Sequence, residues 1–130
     1  MKYMIMMFGD ESGVADKSPD WIKRMIEFMF QIDKDLEQSG ELVFQQGLAD
    51  PSQAKLVGLQ DGVAVATDGP FAEAKESLAG FWVVDVESEA RVVEIASQIV
   101  EVIEAPVEVR EALDAPPDEV LQAFDISAPG

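Results

Sequence analysis

The segment spanning residues 2–8 constrains the fold most strongly, because as a β-strand it would be apolar on both faces. Alternate side chains of a strand point to opposite sides, here Tyr3, Ile5 and Met7 against Met4, Met6 and Phe8. A strand of this kind belongs in a sheet that is covered on both sides. One layer of helices covers a single face, so the pattern predicts that a second copy of the chain covers the other.

Two later segments have the residue spacing of amphipathic helices. The first follows Ser18-Pro19, a favourable N-cap and first helical residue, and should end at Gly40. The second follows Ser88, which can cap it in the same way. In both, apolar residues recur every three or four positions, which predicts one buried stripe on each helix. The stripes are Ile22, Met25, Ile26, Met29, Ile32 and Leu36, and Val92, Ile95, Ala96, Ile99 and Ile103.

The remaining apolar segments predict strands over residues 41–48, 54–59, 63–67, 80–86 and 107–110. Asp61-Gly62 between two of them favours a β-hairpin. The order predicts an α+β, ferredoxin-like sandwich: an antiparallel sheet with two main helices on one face, assembled as a dimeric α/β barrel. We expect one domain over residues 1–112, followed by a tail, 113–130. A short helix after Pro116-Pro117 should dock on the domain or on a partner subunit through Leu121 and Phe124.

Composition excludes several classes of protein. A net charge of −17 opposes direct binding to nucleic acid or to an anionic membrane. No apolar run reaches the roughly 18–20 residues that span a bilayer, and the N-terminal segment resembles a strand more than a signal peptide. Without cysteine or histidine, the chain lacks thiolates, disulfides and the usual neutral-pH general base. We therefore expect a cytoplasmic protein, and we predict no cofactor and no bound metal.

The most distinctive motif covers residues 68–76, Asp-Gly-Pro-Phe-Ala-Glu-Ala-Lys-Glu. As a purely structural turn, it would use Asp68 to accept backbone N–H bonds, Gly69 for positive φ and Pro70 to set the exit. Phe71 would then anchor the loop in the core. As a functional loop, it would lie at the mouth of a cleft between the sheet and the helices. The sequence alone leaves both interpretations open.

The functional interpretation assigns a chemical role to each reactive side chain. Asp68, Glu73 and Lys75 are the candidate catalytic residues: a desolvated carboxylate can act as a general base, and the ammonium group can stabilise an anion. Such a set suffices in principle for proton abstraction beside a carbonyl. The candidate ligand-binding residues combine the motif with aromatic side chains from elsewhere. They are Tyr3, Asp68, Gly69, Phe71, Lys75, Glu76 and Trp82.

Three further features have competing interpretations. Asp10 and Glu11 with Asp68 could form an oxygen-rich cation site, but acidic neighbours are common in so acidic a chain. Arg110 at a strand end favours pairing with a carboxylate over binding an anionic ligand. Trp21 near a helix start favours packing or a dimer contact over stacking on a ligand.

Three blocks of this sequence resemble the YCII-related, or DGPF, family. They are residues 1–11, ending in Gly9-Asp10-Glu11; residues 68–76, close to the family's DGPFAETKE signature; and Gly80-Phe81 through Asp85-Val86, with Glu108-Val109-Arg110. The likeness covers about residues 1–112. The sequence departs from the family pattern at Ala74, where threonine is usual, and at Glu111, where proline is expected.

The resemblance implies a ferredoxin-like fold paired as a dimeric α/β barrel, close to small-molecule monooxygenases and muconolactone isomerases. It also implies an association with extracytoplasmic-function sigma factors, beside which relatives are often encoded. The His–Asp pair proposed as catalytic in one branch cannot apply to a chain without histidine.

Two functions therefore remain open. One is a protein that binds a small apolar or aromatic metabolite beside the 68–76 loop, with or without turnover. The other is a regulatory module that acts by protein contact, for which the acidic surface would suit a basic partner such as a sigma factor.

Overall fold

The computed structural model describes residues 1–70 and 76–129, with only the backbone of Glu11 and Ser12. Most predicted elements are confirmed with small shifts at their ends. Two short 3₁₀ turns, Glu11–Val14 and Pro51–Gln53, lie where the sequence predicted a loop and a strand break. The main elements are β1 (Lys2–Phe8), α1 (Pro19–Ser39), β2 (Leu42–Gly47), β3 (Lys55–Gln60), β4 (Val63–Asp68), β5 (Leu78–Asp85), α2 (Glu89–Ile103), β6 (Val107–Glu111) and α3 (Asp118–Ala123).

The main sheet has the order β2-β5-β1-β6, with antiparallel pairing throughout. This order and the two crossing helices confirm the ferredoxin-like α+β fold. The strands β3 and β4 form a separate two-stranded hairpin. The sheet stays open and closes into no barrel within the described residues, so the predicted barrel would require a second copy.

Both long helices begin at the residues that the sequence indicated, and α1 also ends at the predicted Gly40. The Ser18 hydroxyl accepts a hydrogen bond from the Trp21 backbone N–H at 3.1 Å, and Gly40 ends α1 in the left-handed conformation with φ 80°. Ser88 accepts from the Arg91 N–H in the same way at the start of α2. The helix α2 ends at Glu104, which is left-handed although it is not glycine.

The core lies between the sheet and the two long helices. Ile5, at the centre of β1, lies between Trp82 of β5 and Val109 of β6 and has no exposed surface. The indole N–H of Trp82 donates to the Asp33 carboxylate at 2.7 Å, so the polar atom of this buried ring has a partner. The most deeply buried side chains are Ile5, Val84, Val92, Ile95 and Ile99.

The opposite side of the sheet carries a second apolar surface, which we call the open face. By register, Met4 lies beside Val83, and Met6 lies beside Phe81. Phe44 of β2 also faces this side, with its ring centroid 6.1 Å from that of Phe81. Met6 is nearly covered by its neighbours, whereas Phe44 is 52% exposed. The two long helices therefore leave the other apolar face of β1 and β5 uncovered, as the sequence pattern predicted.

Two glycines are required by the backbone: Gly62 in the hairpin turn, and Gly80 where two strands approach closely. Asp61 and Gly62 both have positive φ, 52° and 81°, as in the two-residue turns that suit hairpins. Gly80 allows β2 and β5 to approach closely, because a Cβ there would lie 3.1 Å from the Gln46 carbonyl oxygen.

Of the two apolar side chains of the tail that were predicted to dock, only Leu121 is partly covered by its own chain. Leu121 is half-buried, but Phe124 is 71% exposed. Phe124 therefore does not dock on its own domain, and docking on a partner subunit stays a prediction. Within residues 1–70 and 76–129, no helix is long and apolar enough to cross a bilayer.

One ion pair gives a test of this architecture. The Arg91 guanidinium of α2 donates two hydrogen bonds of 2.9 Å to the Glu41 carboxylate, at the start of β2. Hydrogen bonding to Arg91 is the main cause that lowers the pKa of Glu41 below its ordinary value of 4.5. Between pH 4.5 and the lower pKa of the folded state, Glu41 binds more protons in the unfolded protein than in the folded one. The stability that the ion pair contributes is therefore lost as pH falls through the folded-state pKa.

We expect Glu41→Gln to destabilise the protein by about 1–2 kcal/mol near pH 7, with the difference from the native chain shrinking in acid below pH 4.5. Urea unfolding at several pH values measures it. Glu37→Gln, on the exposed side of α1, is the matched control. A difference that stays constant between pH 7 and pH 3 would contradict the assignment.

Candidate functional site

A cavity of about 400 Å³ opens at the end of the sheet where β1 ends and β5 begins. Its wall is mostly apolar, with two carboxylate residues, Asp10 and Asp50. Segments far apart in the chain build it. They contribute Met7, Phe8, Gly9, Asp10, Gly13, Val14, Trp21, Met25, Leu48, Ala49, Asp50, Pro51, Ala79, Ile103 and Ala105.

Backbone hydrogen bonds hold the strand ends around this cavity. The Gly9 N–H donates to the Ser77 carbonyl at 2.9 Å, and the Leu48 N–H donates to the Ala79 carbonyl at 2.8 Å. Gly9 has φ 141°, a conformation that other residues rarely adopt. The chain that re-enters the sheet after the 68–76 motif is therefore tied directly to the cavity wall.

The helix side of the cavity is closed by Trp21. Its indole N–H donates to the Glu104 carboxylate at 3.1 Å, which links the start of α1 to the end of α2. The Lys17 ammonium lies 4.8 Å from the centroid of the same ring and 3.7 Å from Glu104. These contacts fix the ring while one side of it still lines the cavity.

A second, smaller cavity of about 220 Å³ adjoins the first. Residues 48–51 line both cavities, so this loop forms the wall between them. The Asp50 carboxylate accepts a hydrogen bond from the Ser52 N–H at 3.1 Å, which caps the 3₁₀ turn Pro51–Gln53. Pro70, in the first part of the motif, and Ser77, directly after it, line the smaller cavity. The described ends of the motif thus lie beside the space in which a ligand could bind.

Asp68 lies at the base of the hairpin, not in the wall of either cavity. Its side chain is 88% exposed and forms an ion pair with Lys55 across the hairpin, at 2.5 Å. Gly69 does not have the positive φ that the structural interpretation expected. Glycine is needed there for space, because a Cβ would lie 3.3 Å from the Leu56 backbone nitrogen.

The other candidate residues fall into two groups. Phe71, Glu73 and Lys75 lie outside the described residues, so their roles stay predictions. Glu76 is exposed at the start of the returning chain.

Tyr3 and Trp82 lie in the core between the sheet and the helices, 7% and 4% exposed. Neither belongs to the lining of the cavities near the motif. The structure therefore does not bring these two aromatic rings together with Asp68. Their predicted contact with a ligand stays a prediction.

The cation site expected from Asp10, Glu11 and Asp68 stays a prediction. Glu11 has no described side chain, and Asp68 pairs with Lys55. Within residues 1–70 and 76–129, no group of three or more acidic, histidine or cysteine side chains is placed to hold a metal ion. Arg110 lies on the open face beside Met4, and no ion pair within 4 Å joins it to a described carboxylate.

Sequence reasoning missed most of the cavity wall. Phe8, Trp21, Met25 and Asp50 belong to four separate segments, and no spacing along the chain relates them. The polar sequence Asp50-Pro51-Ser52 indicates only a strand break, and the position of Trp21 favours packing or a dimer contact over a place beside a ligand.

Known proteins resemble this chain over most of its length, up to the tail. The sequence profile of the YCII-related domain family matches residues 1–115. An uncharacterized protein of Rhizobium meliloti (strain 1021) is 28% identical over 88 residues, which cover 68% of this chain and 71% of that relative. The profile stops before α3.

Tyr3 offers a direct test of the core environment, because the chain has a single tyrosine. Burial raises its pKa above the ordinary value of 10.0, and the negative charges of Glu89 and Glu111 raise it further. The protonated phenol therefore stabilises the fold below pH 10, and this contribution is lost as pH rises through the folded-state pKa.

Ultraviolet absorbance of the phenolate should show a titration midpoint above 10 in the folded protein. Glu111→Gln should lower that midpoint, whereas Glu37→Gln on α1 should leave it unchanged. A midpoint at the ordinary value, with circular dichroism still native, would show that the ring is solvated.

Proposed function

The chain belongs to the YCII-related domain family, and we propose that it binds a small apolar or aromatic metabolite in the cavity at the end of its sheet. The observation that carries the proposal is the cavity itself: about 400 Å³, mostly apolar, with a fixed indole ring and two carboxylate residues in its wall. Ligand sites of small molecules combine these features: a concave apolar lining and a few polar groups.

The position of the 68–76 motif supports the same site. Pro70 and Ser77 line the adjoining cavity, and Ser77 bonds to Gly9 in the wall of the larger one. We propose that Glu73 or Lys75 contributes acid–base or anion-stabilising chemistry to a ligand bound there, with Asp68 at the entrance. Turnover would require one of these groups to be desolvated beside the bound molecule.

Ligand binding can be tested by narrowing the cavity. Ala49 lies in the wall on an exposed loop, so Ala49→Phe should fill space without disturbing the core. A thermal-shift screen of indole, phenol and benzyl compounds bearing alcohol, amine or acid groups should give hits on the native chain. Binding stabilises the native state by about 2.7 kcal/mol at roughly a hundredfold excess over Kd. Hits should vanish in Ala49→Phe and persist in Ala90→Phe, an exposed alanine on α2.

The motif is tested with the same compounds. Asp68→Ala and Lys75→Ala should weaken binding of the compounds. Lys55→Ala breaks the same Lys55–Asp68 ion pair but keeps the Asp68 carboxylate, so it should leave binding unchanged. An exposed pair of this kind contributes roughly 0–1 kcal/mol to folding, so the Asp68 and Lys55 variants should fold, and circular dichroism checks the fold of all three. Equal binding by the native chain and by the Asp68 and Lys75 variants would remove the motif from the site. A screen without hits would favour the regulatory alternative, contact with a basic protein such as a sigma factor in the cytoplasm.

We also propose that two copies of the chain pair through their open faces. Met4, Phe44, Phe81 and Val83 form an apolar surface that the helices do not cover. A contiguous exposed apolar surface is a common feature of protein-interaction sites, because pairing removes that surface from water.

Static light scattering should give twice the chain mass of 14.2 kDa for the native protein. Phe44→Lys should shift the mass to that of one chain, because a charge would be buried without a partner. Phe30→Lys, at a 73% exposed phenylalanine on α1, is the matched control and should leave the mass doubled. A native mass of 14.2 kDa would refute the dimer.

A further inference from the structure

The hairpin β3–β4, which we call the hairpin arm, is the least covered part of the sheet structure. No residue between Lys55 and Asp68 is buried. Val57, Leu59 and Val63 are 67%, 79% and 63% exposed. A lone two-stranded hairpin is only marginally stable in water, and exposed apolar strands tend to associate. The arm therefore needs a surface to pack against.

One face of the arm carries no charge along most of its length. By register, Val57 lies opposite Ala66 and Leu59 opposite Ala64, and these four side chains share that face. The first charges on it are Lys55 and Asp68, which pair with each other at the base. The arm is about 20 Å long at roughly 3.3 Å per residue, and Val57 and Leu59 with their two alanine partners form an apolar ribbon on its outer part.

The open face has a matching uncharged region along β2 and β5, which ends at Asp85, paired with the N-terminal ammonium. Phe44, Gln46, Phe81 and Val83 lie there, whereas Glu108 and Arg110 lie on the far side, on β6. Phe44 is the most exposed apolar side chain of this region, and β2 is the edge strand. The uncovered apolar surface is therefore greatest at the edge of the sheet.

Charge indicates which partner can cover these surfaces. Each chain carries −17, so two copies repel each other except where their surfaces lack charge. The ribbon of the arm and the centre of the β2 side of the open face are both uncharged. The carboxylates at their ends are already paired, Asp68 with Lys55 and Asp85 with the N-terminal ammonium, so they offer little to a basic partner. A second copy is the occupant that both surfaces suit, and each copy offers one of each, so a two-fold pair would cover both arms.

Area leads to the same conclusion. Four strands spaced about 4.8 Å apart and about 20 Å long give the open face roughly 300 Å² in projection. Standard interfaces bury about 800 Å² on each partner. Sheet-to-sheet contact alone falls well short of that size, and an arm about 20 Å long by roughly 10 Å wide brings the contact closer to it, to about 500 Å² in projection on each copy.

We propose that the hairpin arm of each copy lies across the β2 side of the partner's open face, with Leu59 on the Phe44–Phe81 pair. The inference rests on the proposed homodimer and is independent of the ligand site. The base of the arm bonds back to the cavity wall region, since the Gly69 N–H donates to the Ala54 carbonyl at 2.9 Å and Ala54 lines the smaller cavity.

Cross-linking tests the contact, because the chain has no cysteine of its own. Leu59→Cys and Phe44→Cys chains are co-expressed with different tags, and doubly tagged dimers are treated with a short bismaleimide. We expect a cross-linked species that contains one chain of each kind. Val93→Cys replaces Leu59→Cys in the control, since Val93 is 51% exposed on α2, and should give no such product.

The other outcomes separate the proposals. Doubly tagged dimers without the Leu59–Phe44 product would overturn the arm contact and leave the dimer standing. Products in which only arms join each other would also overturn it. A native chain that is monomeric by light scattering would refute both the dimer and the arm contact, without bearing on ligand binding.

Discussion

The burial of β1 and β5 beneath α1 and α2 is the interaction on which the other features depend. Ile5 and Val84 are fully enclosed, and replacing such a side chain by alanine would cost about 2–5 kcal/mol. Successive side chains of a strand point to opposite faces, so burying Tyr3 and Ile5 on one side of β1 places its alternate side chains on the other. The same pairing that builds the core therefore creates the open face with Met4 and Met6.

The cavity is a consequence of how this core ends. Met7 near the end of β1 and Ile103 at the end of α2 line it, and the returning chain at Ser77 is tied to Gly9. Trp21 bridges the remaining gap because Glu104 holds its indole N–H. The helix caps thus have a second role: Ser18 sets where α1 begins, and so sets where Trp21 points relative to the end of α2.

Much of the fold was predictable from the residues because the deciding interactions are local. Ser18-Pro19 and Gly40 mark the ends of α1, and Asp61-Gly62 marks the hairpin turn; each depends on neighbouring backbone groups. The 3₁₀ turns were missed because short turns have weak patterns. Pro51-Ser52 is equally compatible with an irregular loop. Of the two docking surfaces predicted for Phe124, its own domain is not the one it contacts, because an apolar residue in a helical turn does not specify its partner.

By itself, the sequence determined the order of strands and helices, the ferredoxin-like class, the family and the existence of a second apolar face. Periodicity and capping depend on residues a few positions apart, so both can be recognised in the sequence before the fold is known. The tertiary structure alone decided that Tyr3 and Trp82 lie in the core, that Asp68 pairs with Lys55, and that Trp21 and Asp50 share a cavity. Those relations join residues far apart in the chain, and only the packing of the sheet against the helices brings them together or separates them.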